Sequence, residues 1–113
     1  MRILLTGANG YVGRRLLPEL LSQGHEVICC VRDKNRLGLD KTTQERITIW
    51  EVDFLHTINL NNLPEKIDVA YYLIHSMTSS TSDFDVMEGK SAHNFNLYMN
   101  EIGVKQVIYL SGI

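Results

Sequence analysis

Short, nearly unbroken apolar runs alternate along this chain with segments whose apolar residues recur at three- and four-residue spacing. The runs Arg2–Thr6, Glu26–Val31, Ile47–Val52, Val69–Ile74 and Val107–Leu110 read as five strands. Runs of that length without polar alternation are expected of strands covered on both faces of a parallel sheet. Between the first two lies Val12–Ser22, where Val12, Leu16, Leu17, Leu20 and Leu21 would share one helix face. Pro18 falls inside that helix and predicts a local irregularity. Arg32–Arg46 is charged and weakly periodic, a loop with a short helix, and Leu60–Leu63 reads as a short helical turn before Pro64. Ser76–Asp83 is polar, rich in Ser and Thr, and predicted as a loop. Phe84–Ile102 then forms a long helix, with Phe84, Met87, Ala92, Phe95 and Met99 on its buried side and Gly103 at its C-terminus. Strands alternating with helices predict a doubly wound α/β domain with right-handed crossovers. Its first strand is central, the second and third on one side and the fourth and fifth on the other.

The junction between the first strand and the first helix carries the chemistry. Thr6-Gly7-Ala8-Asn9-Gly10-Tyr11-Val12-Gly13 places glycines at a three-residue spacing between an apolar strand and a helix. Such a turn suits a dinucleotide pyrophosphate. One glycine permits the sharp turn, one removes the side chain where the phosphates approach, and one lets helix and strand pack closely. Amides of the first helical turn then face the anion, with some from Thr6, Ala8, Asn9, Tyr11 and Val12 reaching phosphate oxygens.

The end of the second strand chooses between the two nicotinamide dinucleotides. An NAD site places a carboxylate there for the ribose hydroxyls, whereas an NADP site supplies Arg for the 2′-phosphate. Here the strand ends Cys30-Val31-Arg32. Val31 accepts nothing, and Arg32 offers a planar multi-donor fork, so NADP is favoured with NAD as the alternative. Asp33 follows at once and complicates that reading unless it points away. Asp53, just past the third strand, can accept from the adenine amine with Phe54 or Leu55 flanking the ring, or cap the next turn. His75 and Ser76 follow the fourth strand at the ligand-binding edge of the sheet. His75 is as compatible with a buried, backbone-bonded histidine as with acid–base chemistry. Ser111, after the fifth strand, could orient a substrate carbonyl.

Composition narrows the rest. The 113 residues support one domain, and their apolar and charged shares, 44 % and 21 %, are those of an ordinary globular protein. A net charge of −2 with scattered basic residues gives no reason to expect nucleic acid or an anionic membrane. No apolar stretch approaches the roughly 20 residues of a membrane span, and a cytoplasmic location is the default expectation. Cys29 and Cys30, adjacent in a strand, should point to opposite faces as small core residues. No metal site is expected from the histidine spacing.

The ordered set Thr6–Gly13, Val31-Arg32, Val52-Asp53-Phe54, Tyr71–Ser76 and Gly103–Gly112 resembles the amino-terminal part of an extended or atypical short-chain dehydrogenase/reductase. The group is that of the NmrA-like and epimerase-like NAD(P)H-binding proteins. The resemblance implies a Rossmann-type doubly wound sheet whose glycine loop holds the pyrophosphate, Arg32 the 2′-phosphate, and Asp53 and Phe54 the adenine. It places Leu73, Ile74, His75 and Ser76 beside the nicotinamide half, and makes Ser111 the strand-end residue that assists catalysis. The family's Tyr and Lys on the next helix have no counterpart here. The chain therefore reads as a cofactor domain truncated after its fifth strand, inactive alone, from an oxidoreductase or epimerase-like protein with a small-molecule substrate. The other reading is a non-catalytic NADP(H)-binding redox sensor or regulatory protein. An uncovered sheet face and edge would favour a homodimer.

Overall fold

The computed structural model describes residues 1–73 and 81–109, the side chains of residues 81–88 excepted. Five strands, β1 (Arg2–Thr6), β2 (Glu26–Val31), β3 (Thr48–Glu51), β4 (Val69–Tyr72) and β5 (Gln106–Tyr109), form one sheet in the order β3-β2-β1-β4-β5. Every pairing is parallel, with Leu4 beside Ile28 on one side and Ala70 on the other. This is the doubly wound topology expected from the alternation of runs, with the chain reversing direction across the sheet at β1.

Two helices cover the faces, and strand parity assigns each side chain to one of them. Helix α1 (Tyr11–Ser22) packs Leu17, Leu20 and Leu21 against Ile3, Leu5, Val27 and Cys29. On the opposite face Phe95, Tyr98 and Met99 pack against Leu4, Ile28, Cys30, Ala70 and Tyr72. They come from the long second helix, Thr81–Ile102. The adjacent cysteines thus lie in different cores. Burial pushes the Cys29 thiol up to about 12 and that of Cys30 well above the ordinary thiol value, so both remain protonated packing groups.

Some boundaries differ from the sequence expectation. Two short helices occupy the β2–β3 connection, a 3₁₀ turn at Lys34–Arg36 and an α-helical turn at Lys41–Glu45. Leu60–Leu63 does not form a helical turn. Asn59 accepts the Asn61 amide at 3.0 Å and Asn62 adopts φ 56°, so Asn turn chemistry prevails over two leucines. Helix α1 runs without interruption through Pro18, which lies on its exposed side. Val12 is 38 % exposed and stands apart from the expected apolar stripe. The long helix begins at Thr81, so Thr81–Asp83 are helical rather than loop. Gly24 and Gly103, at φ 82° and 80°, end the two long helices in the left-handed conformation that glycine adopts without a Cβ clash.

The amino ends of the strands are tied by Asp68. Its Oδ2 accepts the Arg2 amide at 2.9 Å, and Oδ1 lies 3.5 Å from Lys105 Nζ. The Arg2 hydrogen bond, outweighing partial desolvation, holds the Asp68 pKa below its ordinary value of 3.8, with Lys105 adding to the effect. A lowered carboxylate pKa contributes stability that is complete above the unfolded value and is lost as pH falls through the folded one. Asp68→Asn should therefore destabilise at pH 7 and shrink the stability difference between pH 6 and pH 3. Urea titrations at those two pH values would read it, and an unchanged pH dependence would refute it.

Candidate functional site

The carboxyl ends of β1, β2 and β3 carry the candidate site. After Thr6 the chain turns at Gly7, φ 69°, and the Gly10 amide donates to the Gly7 carbonyl at 3.0 Å. Gly10 then precedes helix α1, whose first backbone bond runs from Arg14 N to Gly10 O at 2.9 Å. A Cβ on Gly7 would come within 3.3 Å of Leu73, at the end of β4. A Cβ on Gly13 would lie 2.0 Å from the Gly7 carbonyl oxygen and 2.8 Å from Ala8 Cα. The first helical turn is thus pressed onto the glycine turn, closer than any side chain permits.

The same geometry favours an anion. No side chain caps α1, and no acidic residue lies in its first turn. The amides of Tyr11, Val12 and Gly13 precede the first intrahelical bond, and the helix dipole adds roughly half a positive charge there. An open cavity of about 400 Å³ lies against Asn9, Gly10, Tyr11, Arg14 and Arg15. Tyr11 is 75 % exposed, and the Arg15 guanidinium sits 4.4 Å above its ring. A pyrophosphate fits this arrangement, because glycine backbone, unbonded amides and cationic side chains meet on one surface.

The Thr6 hydroxyl is turned to structural work. The side chain is fully buried, its hydroxyl donating to Tyr71 O and accepting from Leu73 N, both at 2.9 Å. It fastens β1 to β4 and sets where β4 ends.

At the end of β2, Arg32 is exposed. The Asp33 carboxylate is turned to local work, accepting the Asn35 amide at 2.9 Å as cap of the 3₁₀ turn and facing Arg36 at 3.8 Å. The connection then passes through buried Leu37 to Gly38, φ 72°, where an added Cβ would stand 3.5 Å from Arg14 Nη2. Arg14, which the sequence reading left out, thereby reaches from α1 to the segment following Arg32. Its place on the polar face of α1 gave no signal of that.

Asp53 caps the turn after β3, Oδ1 accepting the Leu55 amide at 2.9 Å while Oδ2 lies 3.4 Å from His56 Nε2. The Phe54 side chain cannot flank an adenine. It is 4 % exposed, edge-on to Trp50, Phe95 and Tyr98 in the core, which leaves its backbone and half-buried Leu55 at the rim. Buried Asn94 secures this segment from the long helix, donating to the carbonyls of Phe54 at 2.6 Å and His56 at 3.3 Å. Ile74, His75, Ser76 and Ser111 lie outside the described residues.

A parallel doubly wound sheet with a glycine turn at its central strand defines a dinucleotide-binding protein of the Rossmann type. The chain belongs to the NAD(P)H-binding family, whose model matches residues 7–113. Nicotinamide dinucleotide binding is the property of that family. Over 33 residues, 29 % of its length, the chain is 54 % identical to dTDP-6-deoxy-L-talose 4-dehydrogenase (NAD(+)) of Aggregatibacter actinomycetemcomitans, of which this covers 12 %. A Bacillus halodurans protein described as an NAD-dependent epimerase/dehydratase superposes over the whole chain and 52 % of its own, with TM-score 0.76 and 25 % identity. The yeast methylglyoxal/isovaleraldehyde reductase solved with NADPH shares the fold at TM-score 0.77 and 15 % identity, over 99 % of this chain and 37 % of that one. The chain thus spans about half of the first solved relative and smaller parts of the other two. Among the described residues, no helix is long and apolar enough to cross a membrane.

Proposed function

We propose that this chain is the cofactor domain of a short-chain-type oxidoreductase and that it takes NADP(H) in preference to NAD(H). The named relatives do not decide the second point, since one carries NAD in its name and another was solved with NADPH. One observation carries the preference: the Asp33 carboxylate is engaged as a helix cap and by Arg36, while Arg32 at the same strand end is exposed. A carboxylate free to accept from the ribose would favour NAD, and a guanidinium in its place favours the 2′-phosphate. In this reading the amides of Tyr11, Val12 and Gly13 take the pyrophosphate above Gly7, Asn9 and Gly10. Asp53 meets the adenine amine through whatever acceptor capacity its capping bond leaves.

The dinucleotide, when bound, supplies a hydride donor or acceptor, and the substrate we assign is a small carbonyl or alcohol compound. Calorimetric titration with NADPH and NADH tests the preference. We expect NADPH to bind at least about tenfold more tightly, the scale of one hydrogen-bonded charge contact. Arg32→Ala should remove most of that difference and leave NADH binding unchanged. Equal or tighter NADH binding by the parent chain would overturn the assignment.

A further inference from the structure

We propose that Arg14 is a second guanidinium for the 2′-phosphate, so that discrimination between the two dinucleotides is set by helix α1 as well as by the end of β2. This rests on the NADP(H) reading above and names a residue that reading does not use. Arg14 follows the last glycine of the turn directly, and its Nη2 lies against Gly38, 3.5 Å from the point a Cβ would occupy. Gly38 is left-handed at φ 72°, and the neighbouring Leu37 is 2 % exposed, so the post-β2 segment is packed down at this point. The guanidinium therefore spans the gap between the phosphate cradle and the segment that begins at Arg32. In a dinucleotide laid across this edge, that gap is where the adenine ribose falls.

Two other arginines near Arg14 and Arg32 are already engaged: Arg36 faces Asp33, and Arg15 covers the Tyr11 ring. Among the described residues, neither Arg14 nor Arg32 has a carboxylate within 4.0 Å. A phosphate monoester brings nearly two negative charges and three acceptor oxygens, enough for two guanidinium forks. A ribose hydroxyl gains little from the second fork.

The probes are 2′-phosphoadenosine 5′-phosphate and adenosine 5′-phosphate, titrated into the parent chain, Arg14→Ala, Arg14→Lys and Arg32→Ala. Arg14 is exposed, so the variants should unfold at the parent temperature, which circular dichroism would verify. We expect Arg14→Ala to weaken the 2′-phosphorylated probe by about tenfold or more and the other by less than about twofold, with Arg14→Lys between parent and Ala. Equal losses on both probes would make Arg14 a contact to the 5′-phosphate, and no loss on either would make it a surface charge. Both results overturn the proposal. If Arg32→Ala alone loses discrimination, the NADP(H) reading stands and only the role of Arg14 falls. If the parent does not distinguish the probes, both fall together.

Discussion

Gly13→Ala should abolish dinucleotide binding and cost the fold at least about 2–3 kcal/mol, the upper part of the usual range for overpacking a tight site. The added Cβ would stand 2.0 Å from the Gly7 carbonyl oxygen and 2.8 Å from Ala8 Cα. Both obstacles are backbone, so no rotamer change relieves the clash. Helix α1 must instead lift away from the glycine turn, carrying the amides of Tyr11, Val12 and Gly13 with it. Gly24→Ala separates this from the general cost of replacing a glycine. Gly24 is left-handed at φ 82° with nothing within 4 Å of an added Cβ, so only backbone strain of about 1–2 kcal/mol applies. That variant should lose stability and keep its affinity for NADPH. Denaturant unfolding with calorimetric titration would compare the two. A Gly13→Ala chain that binds NADPH like the parent would mean that the turn does not hold the pyrophosphate.

The contrast between these glycines shows how far the sequence could be read. The spacing of Gly7, Gly10 and Gly13 between an apolar run and a helical pattern was enough to place a tight glycine turn between β1 and α1, because each requirement is local. For the same reason β1 and β2 have the bounds their apolar runs predict, and Gly103 ends its helix where expected. The sheet order followed as well, since parallel strands with helices between them leave few alternatives.

What could not be read depends on partners distant in the sequence. Phe54 was placed beside the adenine because it adjoins Asp53, yet its ring packs on Phe95 and Tyr98, some 40 residues later. Likewise only the pairing of β1 with β4 reveals that Tyr71 and Leu73 engage the Thr6 hydroxyl. Helical periodicity puts Arg14 on the polar face of α1 and says nothing of Gly38, which arrives there only when the post-β2 segment folds back. Asp33 was ambiguous in sequence for the opposite reason. Its capping bond to Asn35 is local, but a carboxylate two residues from an amide has several other options.

Phe95→Ala should have the largest effect on stability, about 3–5 kcal/mol, as expected for emptying a large aromatic site in a core. Phe95 is fully buried, its ring centre 5.4 Å from that of Phe54 and 4.6 Å from that of Tyr72. A domain of this size holds only about 5–15 kcal/mol in total, so the measurement belongs at low temperature and low denaturant. The loss should also reach the site. Phe54 is the residue after Asp53, and a shift of its backbone toward the vacated space would move the carboxylate with it. Asn94, adjacent to Phe95 in the helix, holds the carbonyls of Phe54 and His56 and would be displaced with it. Adenosine 5′-phosphate should therefore bind Phe95→Ala several-fold more weakly than the parent under conditions where both are folded. Phe95→Leu, which refills most of the volume, should recover much of both losses. If Phe95→Ala lost its stability but bound adenosine 5′-phosphate unchanged, the aromatic cluster would be holding the sheet to its helix without positioning the adenine rim. Asn94 and Tyr98 would then be what couples the long helix to the Asp53 segment.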